Sequence, residues 1–269
     1  MKPLILTSIT LCLLASLFTQ HAYAQQDSTA KDTVITVTIR RGMHRSKPDS
    51  AKRDSVKRNA SKTGFVGGIT FTRIDLGFSR LIDNGSFTLS PTNDFLSYKP
   101  GKTSTFSFDV LQFGYRVSPS FKVYVAGGFD WTLIRLKQNI TIQNNTTDLT
   151  YVPETINFSK NRFSSSYVHI PLNFELRTKE NDKGNRFYLV FGPEVGFLLN
   201  GKVKQISDEN GKEKVKDDYH FQPFRYGGSV RIGYGSLGIF TKYYANEMFD
   251  TPAQKGLKNM SFGITLGLN

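Results

Sequence analysis

Three observations predict an all-β chain: an eight-stranded antiparallel up-and-down transmembrane β-barrel preceded by a signal peptide and a basic linker. Apolar residues recur at every second position over eight segments. Long connections alternate with short ones. No run reaches 18 apolar residues, and no apolar stripe of 3.6-residue period is present, so a helical span is not expected. With 38% hydrophobic residues, the composition suits a barrel, because only every second strand residue has to face lipid.

The chain opens with Met1–Ala24, where Lys2 is followed by an apolar stretch from Leu4 to Phe18 and then by Ala22-Tyr23-Ala24. This is the pattern of a secretory signal peptide with a small-x-small cleavage site, so the mature protein is expected to begin at Gln25. An uncleaved anchor is the alternative, but the apolar run falls short of the ~20 residues a spanning helix needs. Cys12 is the single cysteine and lies within that run, away from any lipobox. The mature chain therefore has no disulfide, no thiolate nucleophile and no Cys-ligated metal.

Residues 25–63 carry ten Lys or Arg against four Asp, a net of +6 in a chain of formal charge +13. Apart from the short alternating run Thr33–Ile39, the segment has almost no large apolar residue with which to offset its ordering entropy. A basic, largely disordered periplasmic linker is expected, acting as a solvated tail or touching acidic envelope polymers. Export removes nucleic acid from the possible partners.

From Gly64 to Asn269 the texture becomes aromatic, glycine-rich and period-two. The five clearest strands start at Phe121, Ser164, Phe187, Phe224 and Met260, and each has a greasy face opposite a polar one; taken together the polar faces carry glycine and charge of both signs. In the first of them Phe121, Val123, Val125, Phe129, Trp131 and Leu133 alternate with Lys122, Tyr124, Gly128, Asp130 and Thr132. Three less regular strands complete the set at Phe65–Ile82, Ser104–Arg116 and Leu237–Tyr244. The first two change apolar parity near Arg73 and near Val110-Leu111, which predicts bulges.

A soluble sandwich also alternates, but its strands are commonly five or six residues, whereas several here exceed ten. Phe65, Tyr115, Phe121, Phe163, Phe187, Phe224 and Tyr234 stand at strand ends, where interfacial girdles belong. The connections near 83–103, 138–162, 200–221 and 245–257 are long, and those at 117–120, 178–185 and 235–236 are short. Short turns inside and long loops outside put both termini in the periplasm. The loops around 138–147 and 202–218 are expected to be mobile and solvated.

The runs Tyr167-Val168-His169-Ile170-Pro171-Leu172 and Gly192-Pro193-Glu194-Val195-Gly196 resemble the PorT-like outer-membrane β-barrel family. So do Pro223-Phe224-Arg225-Tyr226-Gly227 with Arg231-Ile232-Gly233-Tyr234-Gly235, and Ile74-Asp75-Leu76-Gly77-Phe78 near the barrel start. The resemblance covers Gly64–Asn269 and implies a barrel of about eight strands in the outer membrane, in a family whose members mostly lack an assigned activity. Some members are linked to protein export. The chain ends Leu266-Gly267-Leu268-Asn269 without a terminal aromatic, so assembly is expected to use other features of the last strand.

An eight-stranded barrel is just wide enough for its own side chains to fill it. The inward positions include Lys122, Asp130, His169, Glu175, Arg177, Glu194, Arg225, Arg231 and Lys242, and unpaired charges there would be costly. A lumen ion-pair network that plugs the barrel is therefore expected, with a small channel lined by the same groups as the alternative. No metal-ligand spacing, no Gly-x-Ser-x-Gly and no cofactor motif is present. A lipid hydrolase built on His169, Ser165 or Ser166 and Glu175 is disfavoured, because His169 points into the lumen while lipid lies outside. The expected role is thus non-enzymatic: a structural, surface or complex-subunit barrel in contact with outer-membrane lipid and other envelope proteins. The rival is a soluble secreted β-barrel that binds a hydrophobic ligand.

Overall fold

In a computed structural model of the chain, residues 63–144 and 146–267 are described. The signal peptide expected at Met1–Ala24 and, except for Thr63, the expected basic linker lie outside the described residues. The strands are β1 (Gly64–Asp83), β2 (Ser104–Ser118), β3 (Phe121–Arg135), β4 (Ile140–Ile142), β5 (Tyr151–Pro153) and β6 (Phe158–Arg177). They are followed by β7 (Phe187–Ser207), β8 (Gly211–Asp217), β9 (Phe224–Tyr234), β10 (Leu237–Tyr244) and β11 (Leu257–Gly267).

Eight of these strands form a closed antiparallel ring in the order β1–β2–β3–β6–β7–β9–β10–β11 and back to β1. Closure leaves no unpaired strand edge in the wall, which a backbone surrounded by hydrocarbon requires. Register fixes the geometry. One row of paired residues starts at Trp131 on β3 and passes through Phe106, Leu76, Ile264, Ile239, Ile232, Leu189 and Leu176. It returns to β3 at Phe121, an offset of ten residues (131 minus 121). For eight strands this stagger corresponds to a tilt of roughly 40° and a backbone radius of roughly 8 Å. Every residue of the row is apolar and points outward, and Ile239, Ile232 and Phe121 sit among many other large apolar side chains on the exterior.

The expected parity changes correspond to register shifts between Ile69 and Arg73 in the β1–β2 pair and between Asp109 and Leu111 in the β2–β3 pair. Each shift lets the strand keep its apolar residues outside while turning its charged ones in.

The long-loop end departs from expectation. The stretches 138–162 and 200–221 are expected as connections, with 138–147 and 202–218 mobile, yet β6 begins at Phe158 and β7 runs to Ser207, where β8 folds back on it. β4 and β5 pair separately between β3 and β6. The physical reason is apolar burial. Above the polar interior the inward faces become greasy, with Leu81 on β1, Ile134 on β3, Phe163 on β6, Val203 on β7 and Leu257 on β11. The loops contribute Phe95, Leu96, Tyr98, Ile140, Ile142, Leu149, Tyr219, Phe221, Met248 and Phe249 to the same cluster. Phe163 is therefore not a girdle residue. It is fully buried, and its ring centroid lies 4.8 Å from Phe221 and 6.0 Å from Phe249.

Candidate functional site in the barrel interior

Glycine on the inner face lets charged side chains reach across the barrel. A Cβ on Gly128 would collide with the Phe108 carbonyl and stand 2.7 Å from His169 Nε2, so only glycine leaves room for the imidazole there. That imidazole reaches Asp109 Oδ1 at 2.9 Å through Nε2 and Glu194 Oε1 at 3.5 Å through Nδ1.

The interior charges form one continuous chain. Arg231 Nη2 contacts Asp75 Oδ2 at 2.9 Å, and Arg73 links Asp75, 3.7 Å from its Nε, to Asp109. His169 joins Asp109 to Glu194. Lys242 Nζ then bridges Glu194 at 3.0 Å and Asp130 at 2.8 Å, and Arg225 Nη2 ends the chain 3.0 Å from Asp130 Oδ2. Tyr244 places its hydroxyl 2.8 Å from Asp130 and 2.7 Å from Glu194, and the Arg225 guanidinium lies over the Tyr167 and Tyr244 rings at 3.6 and 3.9 Å. Four carboxylates (Asp75, Asp109, Asp130, Glu194) thus meet four permanent cations (Arg73, Arg225, Arg231, Lys242), with the imidazole between them. Such pairing offsets the desolvation that would exclude isolated charges.

Of the nine residues singled out from the sequence, Asp130, His169, Glu194, Arg225, Arg231 and Lys242 belong to this chain. The other three form a separate group near the short turns: Lys122 Nζ lies 2.9 Å from Glu175 Oε2, and Arg177 contacts the same carboxylate. Arg73, Asp75 and Asp109 were not singled out. All three sit beside the two bulges, and carrying the parity change through them was the available signal.

Asp130, His169 and Glu194 bring ligand atoms within 4.8 Å of one another, as a metal site would. The geometry opposes that use, because the Lys242 ammonium already stands between the two carboxylates and Arg225 adds a second cation. Nor is a hydrolase triad assembled. His169 meets Asp109 and Glu194, whereas Glu175 pairs with Lys122 and the Ser166 hydroxyl donates to the Asn200 carbonyl.

Two cavities flank the charged chain. The larger, about 390 Å³, opens among the short turns beside Arg116, Lys122, Tyr124, Arg177 and Tyr188. A second of about 10 Å³ lies under the apolar cluster beside Tyr167, Arg225, Tyr244 and Asn259, and the two share no lining residue. The interior is polar and the exterior greasy, the reverse of a carrier that holds an apolar ligand in its barrel.

A closed eight-stranded ring with an apolar outer band and a charged interior defines an integral membrane β-barrel protein. The family model described as outer membrane protein beta-barrel domain matches residues 23–246, most of the chain, and the protein belongs to that family. No curated protein matches the sequence. Among solved structures, the chain is similar to Ail, the attachment invasion locus protein of Yersinia pestis, in a crystal structure with the heparin analogue sucrose octasulfate. Identity is 14%, coverage is 77% of this chain and 97% of that chain, and the TM-score is 0.32.

Proposed function

We propose that this outer-membrane barrel is closed to ions and serves a structural, surface or complex-subunit role without enzymatic activity. The observation that carries the reading is the unbroken chain of ion pairs from Arg231 to Arg225 lying across the lumen, roofed by the apolar cluster around Phe163. A radius of roughly 8 Å leaves side chains from opposite walls in contact, so an aqueous path would require breaking pairs that stabilise one another.

The orientation follows from loop length: short turns belong in the periplasm and long connections outside, with both termini periplasmic. On this reading Met1–Ala24 directs export, and the basic segment that follows contacts acidic envelope polymers. The finer kinship is with PorT-like barrels, supported by the Pro223–Gly227 and Arg231–Gly235 motifs and by His169 and Glu194. Other envelope proteins are the expected partners.

Planar-bilayer recording of the purified full chain tests closure. The expected result is a silent membrane after insertion, with opening events appearing once Lys242 and Arg225 are both replaced. Steady single-channel steps from the unaltered protein, scaling with salt, would overturn the reading.

A further inference from the structure

Beyond the apolar band, the outward face of the β3–β6–β7–β8 sheet carries cations in register. Arg135 pairs with Arg162, Arg162 with Lys204, and Lys204 with Lys214, a row of four positive side chains across four strands. Next to it Lys202 pairs with Lys216, and on the other side Lys160 and Lys212 both pair with Ile206. The acids of β8, Glu213 and Asp217, alternate onto the opposite face. Like charges directly opposite each other destabilise a sheet, and one row here repeats the conflict three times.

Among the described residues no carboxylate relieves it. None of these eight cations forms an ion pair among the described residues. The Nε of Arg162 is buried without a hydrogen-bond partner. Arg162 holds the Lys160 ammonium below its ordinary range, and Lys212 does the same to Lys214. A like-charged array with an unused donor is complementary to clustered anionic oxygens.

Position selects the source of those oxygens. The last outward apolar residue on β7 before the cations is Leu199, which is half exposed, and Lys202 and Lys204 follow it three and five residues on. At ~3.3 Å per residue and a tilt of roughly 40°, they stand about 8 and 13 Å further along the barrel axis. That is the level of the headgroups in the surrounding leaflet. The face looks sideways along the membrane instead of up into solvent, because its other side covers the apolar cluster through Phe163 and Val203.

We propose that this face binds the phosphorylated headgroups of lipid in the outer leaflet around the barrel. The proposal rests on the reading that the long-loop end is external. The full chain in neutral detergent is titrated with fluorescent lipopolysaccharide, with the same lipid stripped of phosphate, and with soluble polyphosphate. Replacing Arg135→Gln, Arg162→Gln, Lys204→Gln and Lys214→Gln together should weaken binding of the phosphorylated lipid on the order of a thousandfold. Replacing Lys99, Lys137, Lys179 and Lys183 with Gln should leave it within twofold. Heat-modifiable migration verifies folding of both variants. Without lipid the first should resist denaturant at least as well as the parent, because its charges no longer oppose each other. Undiminished binding by the first variant, equal binding of the stripped lipid, or tighter binding of polyphosphate than of lipid would each overturn the proposal. The orientation is tested separately with Lys214→Cys and a membrane-impermeant maleimide on intact cells. Labelling only after the outer membrane is opened would refute the outer-leaflet source while leaving the phosphate-binding result standing.

Discussion

Lys242 on β10 places its ammonium 2.8 Å from the Asp130 carboxylate on β3, joining two strands that are not neighbours in the ring. The two residues are 112 apart in sequence and meet only because the barrel closes. Glu194 lies 3.0 Å from the same ammonium, so one cation holds two buried carboxylates together.

Lys242→Met should therefore destabilise the barrel by about 3–5 kcal/mol, since both carboxylates lose a shared counter-charge without leaving the interior. Urea unfolding in detergent micelles measures the loss. Adding Glu194→Gln to the same variant should recover at least about 1 kcal/mol, because the like-charged pair is then relieved. A double variant no more stable than Lys242→Met would show that Lys242 acts by packing alone.

Phe163→Ala should cost about 3–5 kcal/mol, the usual penalty for deleting a buried phenyl ring. The ring touches Tyr219, Phe221 and Phe249, all contributed by loops at the same end. Limited proteolysis should accordingly cut the β8–β9 and β10–β11 connections faster while the short turns keep their parental rate. Equal cleavage rates at both ends would refute the apolar cluster as the clamp on these loops.

Val230 lies midway along the outward face of β9, with Tyr226 and Tyr234 toward either end. Val230→Arg should cost about 2–4 kcal/mol in a bilayer, against about 0–1 kcal/mol for Tyr234→Arg near the interface. Refolding titrations into phosphatidylcholine vesicles give both values, and their ratio measures the depth of each residue.

Tyr219 adds a pH dependence. Burial, with Asp217 beside it, pushes its hydroxyl up to about 12, whereas an unfolded tyrosine ionises near pH 10. Its contribution is thus complete below pH 10 and is lost as the pH rises toward 12, because the unfolded chain gives up the proton first. Denaturation midpoints between pH 8 and 12 should fall more steeply for the parent than for Tyr219→Phe.

Much of this architecture was legible in the residues. Alternation identified the eight wall strands and the two bulges, since a side chain on a strand has only two directions and the lipid-facing one must be apolar. The inward charges on β3, β6, β7, β9 and β10 could be read the same way. Arg73, Asp75 and Asp109 were harder, because a bulge reverses the meaning of odd and even, and their direction follows only when the parity change near Arg73 and near Val110-Leu111 is carried through the strand.

By itself, then, the sequence determined which side of the wall each strand residue faces, through hydrophobic period and turn spacing. Tertiary structure decided who meets whom. Lys242 finds Asp130 and Phe163 finds Phe249 only after ring closure sets the stagger, because those contacts cross the barrel between residues with no local pattern in common. Pairing of neighbouring strands, with β8 folded back on β7 outside the ring, aligned Arg135, Arg162, Lys204 and Lys214 in one row. Register between strands is a relation of distant segments, and no periodicity within one strand encodes it.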